Sequence, residues 1–225
     1  MVLQEWVDKE TEELIHGMKT KGYLKSPAIE RAIQAVPRWM FVPRNAIQRA
    51  YSDAPVDIGE GQTISQPSTV VCMTEMLDVQ PGMKVLEIGT GSGWQAGIIA
   101  KLVGSGGKVF SIERLSELAE TAKLNLQNAN IGNVHVKVGD GSEGLKEHMP
   151  FDRIIVTAAA PEIPQPLFEQ LKVGGRMVIP VGDLYRQEML IVMKPRPGVV
   201  DRKTAGKFAF VPLIGRYGFK SGRPD

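Results

Sequence analysis

From residue 67 onward the chain alternates short apolar segments with longer amphipathic ones: STVVCMTEML, MKVLEIG, WQAGIIAKLV, KVFSIE, LSELAETAKLNLQNA, VHVKVGD, FDRIIVTA and GRMVIPV. Runs of five or six residues rich in Val, Ile and Phe and bounded by turn residues read as buried strands. Segments with apolar positions every three or four residues read as helices. Such an alternation leaves few topologies open, because each strand–helix–strand unit returns the next strand parallel, by a right-handed crossover, and lays a helix on the sheet. The expected fold is therefore α/β, a doubly wound, Rossmann-like and mostly parallel sheet. EMLIVMK and GKFAFVPLI, joined by the turn-forming PRPGV, are expected to close it as antiparallel edge strands.

The first fifty residues follow a helical rhythm, with Trp6, Leu14, Ile15 and Met18 at turn spacings and Ser26-Pro27 as N-cap and first helical position of a second helix. Residues 51–66, YSDAPVDIGEGQTISQ, read as a long irregular segment, and long loops in compact domains are usually functional. The expected organisation is a lead-in and substrate loop over residues 1–66, a core over 67–215 and a tail over 216–225, all within one structural domain. Basic and acidic residues nearly balance, 27 against 25, so nothing calls for a nucleic-acid partner. The single Cys72 excludes an intramolecular disulfide framework, the first residues are laced with charge, and no apolar run has the length of a membrane span. A cytoplasmic monomer without membrane partners is the expectation.

VLEIGTGSGWQ, residues 85–95, sets Gly89, Gly91 and Gly93 between a buried strand and a helix, where missing side chains let backbone approach a nucleoside-like ligand. A dinucleotide fingerprint requires its third glycine at position 94, which here is Trp94. Glu87, two residues before the first glycine, suits a ligand with an ammonium and a sulfonium better than a pyrophosphate, which points to S-adenosylmethionine. The pattern resembles the first motif of the class I S-adenosylmethionine-dependent methyltransferases, in which the loop (here Gly89, Thr90, Gly91, Ser92 and Gly93) wraps the amino-acid and ribose portion. Glu113 ends the next strand, where such a site wants a carboxylate for the ribose hydroxyls. By the same resemblance, Asp140 with Gly141, after the third strand, would meet the adenine.

The methyl acceptor is approached by elimination. VTAAAPEIP, residues 156–164, stands where base-methylating enzymes carry N/D-P-P-Y/F, Cys72 lacks a preceding proline, and His16, His135 and His148 have no ligand-like spacing, so no metal is expected. What remains is an acceptor that needs no protein base, such as a carboxylate, already ionised at neutral pH. GQTISQPS, residues 61–68, offers hydroxyls and amides and no competing charge.

AYSDAPVDIGEGQTISQPS, LEIGTGSGWQ, GDG, FDRIIVTAAAPEIP, LKVGGRMVIPVG and FVPLIG together resemble, in order, the protein-L-isoaspartate (D-aspartate) O-methyltransferase family. The resemblance implies methyl transfer from S-adenosylmethionine, leaving S-adenosylhomocysteine, to the α-carboxyl of isoaspartyl residues in damaged proteins; the ester then closes to a succinimide. It implies that Ser65 is the hydroxyl beside the acceptor carboxylate, that Thr63, Ile64 and Gln66 shape its pocket, and that Asp53, Ala159 and Pro161 lie near the bound peptide under FVPLIG. Ser65 could instead cap the helix that begins at Pro67, and Asp53 could serve an Asx-type turn. Two departures stand out: Ser68 where an aromatic is expected and Trp94 in place of Tyr. RYGFKSGRPD, past Gly215, has no counterpart in the resemblance and is expected to be disordered.

Overall fold

The computed structural model describes residues 2–220. Helices α1 (Val2–Thr20) and α2 (Pro27–Ala35) lead the chain, and the Ser26 Oγ caps α2 by accepting from the Ile29 N–H. Two 3-10 turns, Arg38–Phe41 and Arg44–Arg49, follow. The segment expected to be irregular contains a small antiparallel ribbon, β1 (Val56–Gly59) with β2 (Gln62–Ile64), pairing Val56 with Ile64 and Asp57 with Thr63. Gly59, Glu60 and Gly61 all have positive φ, which reverses the chain within three residues. Strands of four and three residues are too short for alternation to reveal them.

Helix α3 (Pro67–Leu77) leads into the main sheet: β3 (Lys84–Ile88), α4 (Trp94–Val103), β4 (Lys108–Glu113), α5 (Ser116–Asn128), β5 (Val134–Val138), β6 (Phe151–Val156), α6 (Gln165–Gln170), β7 (Leu171–Gly182), β8 (Gln187–Arg196) and β9 (Val199–Phe208). The spatial order is β5-β4-β3-β6-β7-β8-β9; β5 through β7 run parallel, and β8 and β9 are antiparallel additions. Strand order thus steps away from β3 in both directions, and a crevice opens at the carboxyl ends of β3, β4 and β6, where ligands bind in open α/β sheets.

Alternate strand residues feed two cores. Val85, Val109, Ile155 and Val178 join Ile29, Ile33, Phe41, Val71 and Ile98 on one face, so the lead-in shares a core with α3 and α4. Leu86, Ile154, Met177 and Leu167 fill the other. Among the described residues, no helix is long and apolar enough to cross a membrane.

Two expectations need correction. Strand β9 spans Val199–Phe208, so FVPLI, expected within it, leaves the sheet. Pro212 has no N–H to donate to a ladder, and the backbone on either side pairs with Ala159 instead: the Ala159 N–H donates to Val211 O at 2.8 Å and the Leu213 N–H to Ala159 O at 2.7 Å. The tail is also not free at its start, because the N–H groups of Arg216 and Tyr217 donate to Asp140 Oδ2 and Ser142 Oγ, and that of Phe219 to Leu213 O. Residues 221–225 lie outside the described residues.

Candidate active site

The loop between β3 and α4 takes the form its glycines permit. Gly89, Gly91 and Gly93 have φ of 91°, 53° and 90°, all left-handed. A Cβ on Gly89 would stand 2.4 Å from the Thr157 Oγ1, so this close approach to β6 is open only to glycine. Gly93 is the N-cap of α4 and packs against Ala122 and Leu126 of α5, while the Asn125 Nδ2 of α5 donates to Ser92 O at 3.0 Å. Two elements therefore hold the loop's shape without touching its open side.

Glu113, at the end of β4, braces this loop. One carboxylate oxygen accepts the Gly91 N–H at 2.9 Å and the other the Leu115 N–H at 3.1 Å, and lone pairs remain on both for hydroxyl donors. Glu87 lies beneath the loop at 0% exposure. It sits opposite Ser111 in the β3–β4 register, and the Ser111 Oγ donates to its Oε2; the Thr90 Oγ1 bonds the Ser111 Oγ at 2.6 Å. Glu87 Oε1 has no partner among the described residues. Burial is the main cause that pushes its carboxyl up to about 8; the Ser111 bond opposes this, and Glu113 adds to it.

The opposite wall is built by the lead-in. Thr63, Ile64 and Ser65 line the same cavity as Gly89–Ser92. The start of α3 is fixed from a distance: the Asp53 Oδ1 accepts the Ser68 N–H at 2.9 Å, and the Gln66 Nε2 donates to the Ser68 Oγ at 2.8 Å. Ser68, found where an aromatic was expected, is thus a buried hydrogen-bonding post. Trp94 is buried at the cavity wall; its Nε1–H donates to Val36 O at 2.9 Å and the Arg38 guanidinium lies 4.5 Å above its ring. The Arg38 Nε then donates to Ala50 O at 2.7 Å, which ties the stretch ahead of Asp53 to α4. Above the cavity run Val211–Ile214.

Of the residues singled out from the sequence, Thr63, Ile64, Ser65, Gly89, Thr90, Gly91, Ser92, Glu113 and Gly141 come together around one cavity. Others stand off its wall for definite reasons. Glu87 is held by Ser111 through one oxygen, beneath the loop and off the wall, and Gly93 packs against α5. Asp140 accepts the Ser142 N–H and Oγ–H on one oxygen and the Arg216 N–H on the other. Asp53 caps α3 and forms no Asx turn, and Gln66 rather than Ser65 is that helix's N-cap residue. Ala159 is buried beneath the 211–213 segment, and Pro161 points to solvent. Sequence reasoning did not select Val70, Met73, Trp94, Gln95 or Thr157 as lining residues. Helical spacing from the glycine loop could have indicated Gln95; Val70 and Met73 look like ordinary core.

Comparison with known proteins follows this geometry closely. The family model described as Protein-L-isoaspartate(D-aspartate) O-methyltransferase (PCMT) matches residues 9–218. A protein-L-isoaspartate O-methyltransferase of Pyrococcus horikoshii is 51% identical over 204 residues, covering 90% of this chain and 92% of that protein. One from Hyperthermus butylicus is 46% identical over 230 residues, covering 99% of this chain and 95% of its own length. A solved protein-L-isoaspartate O-methyltransferase structure superposes with a TM-score of 0.84 at 33% identity, covering 92% of this chain and 67% of that one.

Proposed function

The chain belongs to the protein-L-isoaspartate(D-aspartate) O-methyltransferase family, and from that premise we propose how its residues share the work of methylating an isoaspartyl carboxylate with S-adenosylmethionine. The bound cofactor supplies an electrophilic methyl group on a sulfonium. The residues present suit it: a loop of three glycines in left-handed backbone at the mouth of the sheet, a carboxylate at the end of β4, and on the cavity wall a buried Gln95 Oε1 with no partner among the described residues. Gly89–Ser92 would hold the amino-acid end, Glu113 the ribose hydroxyls, and Gly141 the adenine edge.

The observation that carries the acceptor assignment is the polarity of the cavity wall. Among the described residues the ionisable side chains on it are Glu113, the last residue of β4, and Arg114, which follows it, whereas Thr63, Ile64 and Ser65 bring neutral groups to the same cavity as the glycine loop. No base is needed to deprotonate a carboxylate at neutral pH. Ser65 would orient the acceptor by donating its hydroxyl without neutralising it. Val70, Met73 and Val211–Ile214 would keep water away from the reacting atoms. Holding both reactants in near-attack geometry is worth on the order of 7–11 kcal/mol.

The reading extends to damaged polypeptides as partners, recognised mainly through backbone, and to a cytoplasmic monomer that binds neither nucleic acid nor membrane. Light scattering and cell fractionation test those last points. The central test is transfer of labelled methyl to two peptides that differ only in an aspartyl or isoaspartyl linkage. Base-labile label on the isoaspartyl peptide alone supports the reading; label on both, or base-stable label, refutes it.

A further inference from the structure

Gln95 occupies the second position of α4, directly beyond the glycine loop, and its side chain is 7% exposed yet lines the cavity. Its amide has a defined orientation. The Thr74 Oγ1 donates to Val70 O at 2.7 Å, so the hydroxyl proton is committed and that oxygen can only accept from Gln95 Nε2, 2.9 Å away. Gln95 Oε1 is thereby turned away from Thr74, and it has no partner among the described residues. A buried amide oxygen left unpaired is costly, so one on a residue that lines a ligand cavity marks where a ligand donor belongs.

The neighbourhood indicates which donor. The first helical hydrogen bond of α4 runs from the Gly97 N–H to Gly93 O, so the amides of the first turn precede the ladder and favour an anionic group. A ligand that places a carboxylate there and carries an ammonium on the adjacent carbon needs an acceptor beside it. Val70, Met73 and Trp94 offer no side-chain acceptor, and the lone pairs left on Glu113 are assigned to the ribose hydroxyls. We infer that Gln95 Oε1 accepts a hydrogen bond from the ammonium of the cofactor's methionyl group, making Gln95 a binding determinant for the amino-acid end. This rests on the reading of the cavity as the S-adenosylmethionine site.

Calorimetric titration of the full chain with two probes tests it: S-adenosylhomocysteine, and 5′-methylthioadenosine, which keeps the nucleoside and thioether but lacks the amino acid. Gln95→Met should weaken S-adenosylhomocysteine about tenfold or more and leave methylthioadenosine within about twofold, as expected for loss of one hydrogen bond to a charged group. Gln95→Glu, which restores an acceptor but loses the donor to Thr74, should recover part of the S-adenosylhomocysteine affinity that Gln95→Met loses. Equal losses for both probes would reduce Gln95 to packing and overturn the assignment. So would unchanged S-adenosylhomocysteine affinity with a raised KM for isoaspartyl peptide, which would move Gln95 to the acceptor side. Failure of the unmodified chain to bind either probe would sink the cofactor reading itself, and the assignment with it.

Discussion

Glu87 is a carboxyl buried under the cofactor loop, one oxygen without a partner among the described residues, and its cost to the fold depends on pH. In the folded chain it titrates at about 8, against an ordinary value of 4.5. Between those values the unfolded chain has lost the proton and the folded chain retains it. The folded state therefore binds more protons, and stability falls as pH rises. The favourable balance is complete below about pH 4.5 and is lost once pH passes about 8. At about 1.4 kcal/mol per pH unit, the loss between pH 5 and 8 is about 4 kcal/mol for this one group, a large share of a domain's 5–15 kcal/mol. Glu87→Gln removes the titration while its side-chain carbonyl can still accept from Ser111. Urea unfolding of both proteins at pH 5, 6, 7 and 8, without cofactor, gives the difference in stability at each pH, and groups common to both cancel. The variant should gain steadily on the parent as pH rises. A difference that stays flat within about 0.5 kcal/mol over this range would refute the reasoning, because Glu87 would then ionise alike in both states.

Gly89→Ala should cost about 1–3 kcal/mol in a thermal melt and abolish measurable cofactor binding, because the new Cβ meets Thr157 Oγ1 at 2.4 Å on backbone with a φ of 91°. Ser65→Ala should lower kcat on the order of 100-fold with S-adenosylhomocysteine affinity nearly unchanged; equal losses in both would remove Ser65 from the acceptor side. Glu113→Ala leaves the Gly91 and Leu115 N–H groups without their acceptor, so calorimetry should find cofactor affinity down by about tenfold or more. Asp53→Ala strips the cap from α3 and should cost about 1 kcal/mol of stability; peptide KM should move more than cofactor affinity, since the cap sits three residues from Ser65.

The parts of the fold legible in the sequence are those whose cause is local. Strands β3 to β6 declare themselves by apolar runs between turn residues, α2 by Ser26-Pro27, and the cofactor loop by three glycines that each need a left-handed backbone. A carboxylate at the carboxyl end of a strand was a weaker signal. Position along a strand places a residue at the right end of the sheet but does not say what its side chain will bond. Glu113 stays on the wall, whereas Glu87 is drawn down to Ser111 on the neighbouring strand and Asp140 is taken up by Ser142 and Arg216. The acceptor wall was the least legible, because its supports are long-range: Trp94 bonds a carbonyl 58 residues earlier, and Asp53 caps a helix 15 residues later.

The two halves of the site rest on different supports and can change separately. The cofactor loop is braced by α5 and by Glu113 within the sheet. The Ser65 wall instead hangs on Val36, Arg38, Ala50 and Asp53, carried by the lead-in and joined to the sheet through Trp94, Ser68 and the shared core. Trp94 belongs to both halves, since its ring lines the cavity while its Nε1–H fixes the lead-in. Substitutions in the lead-in should therefore act on the acceptor far more than on the cofactor, and Trp94 is where the two effects should become inseparable.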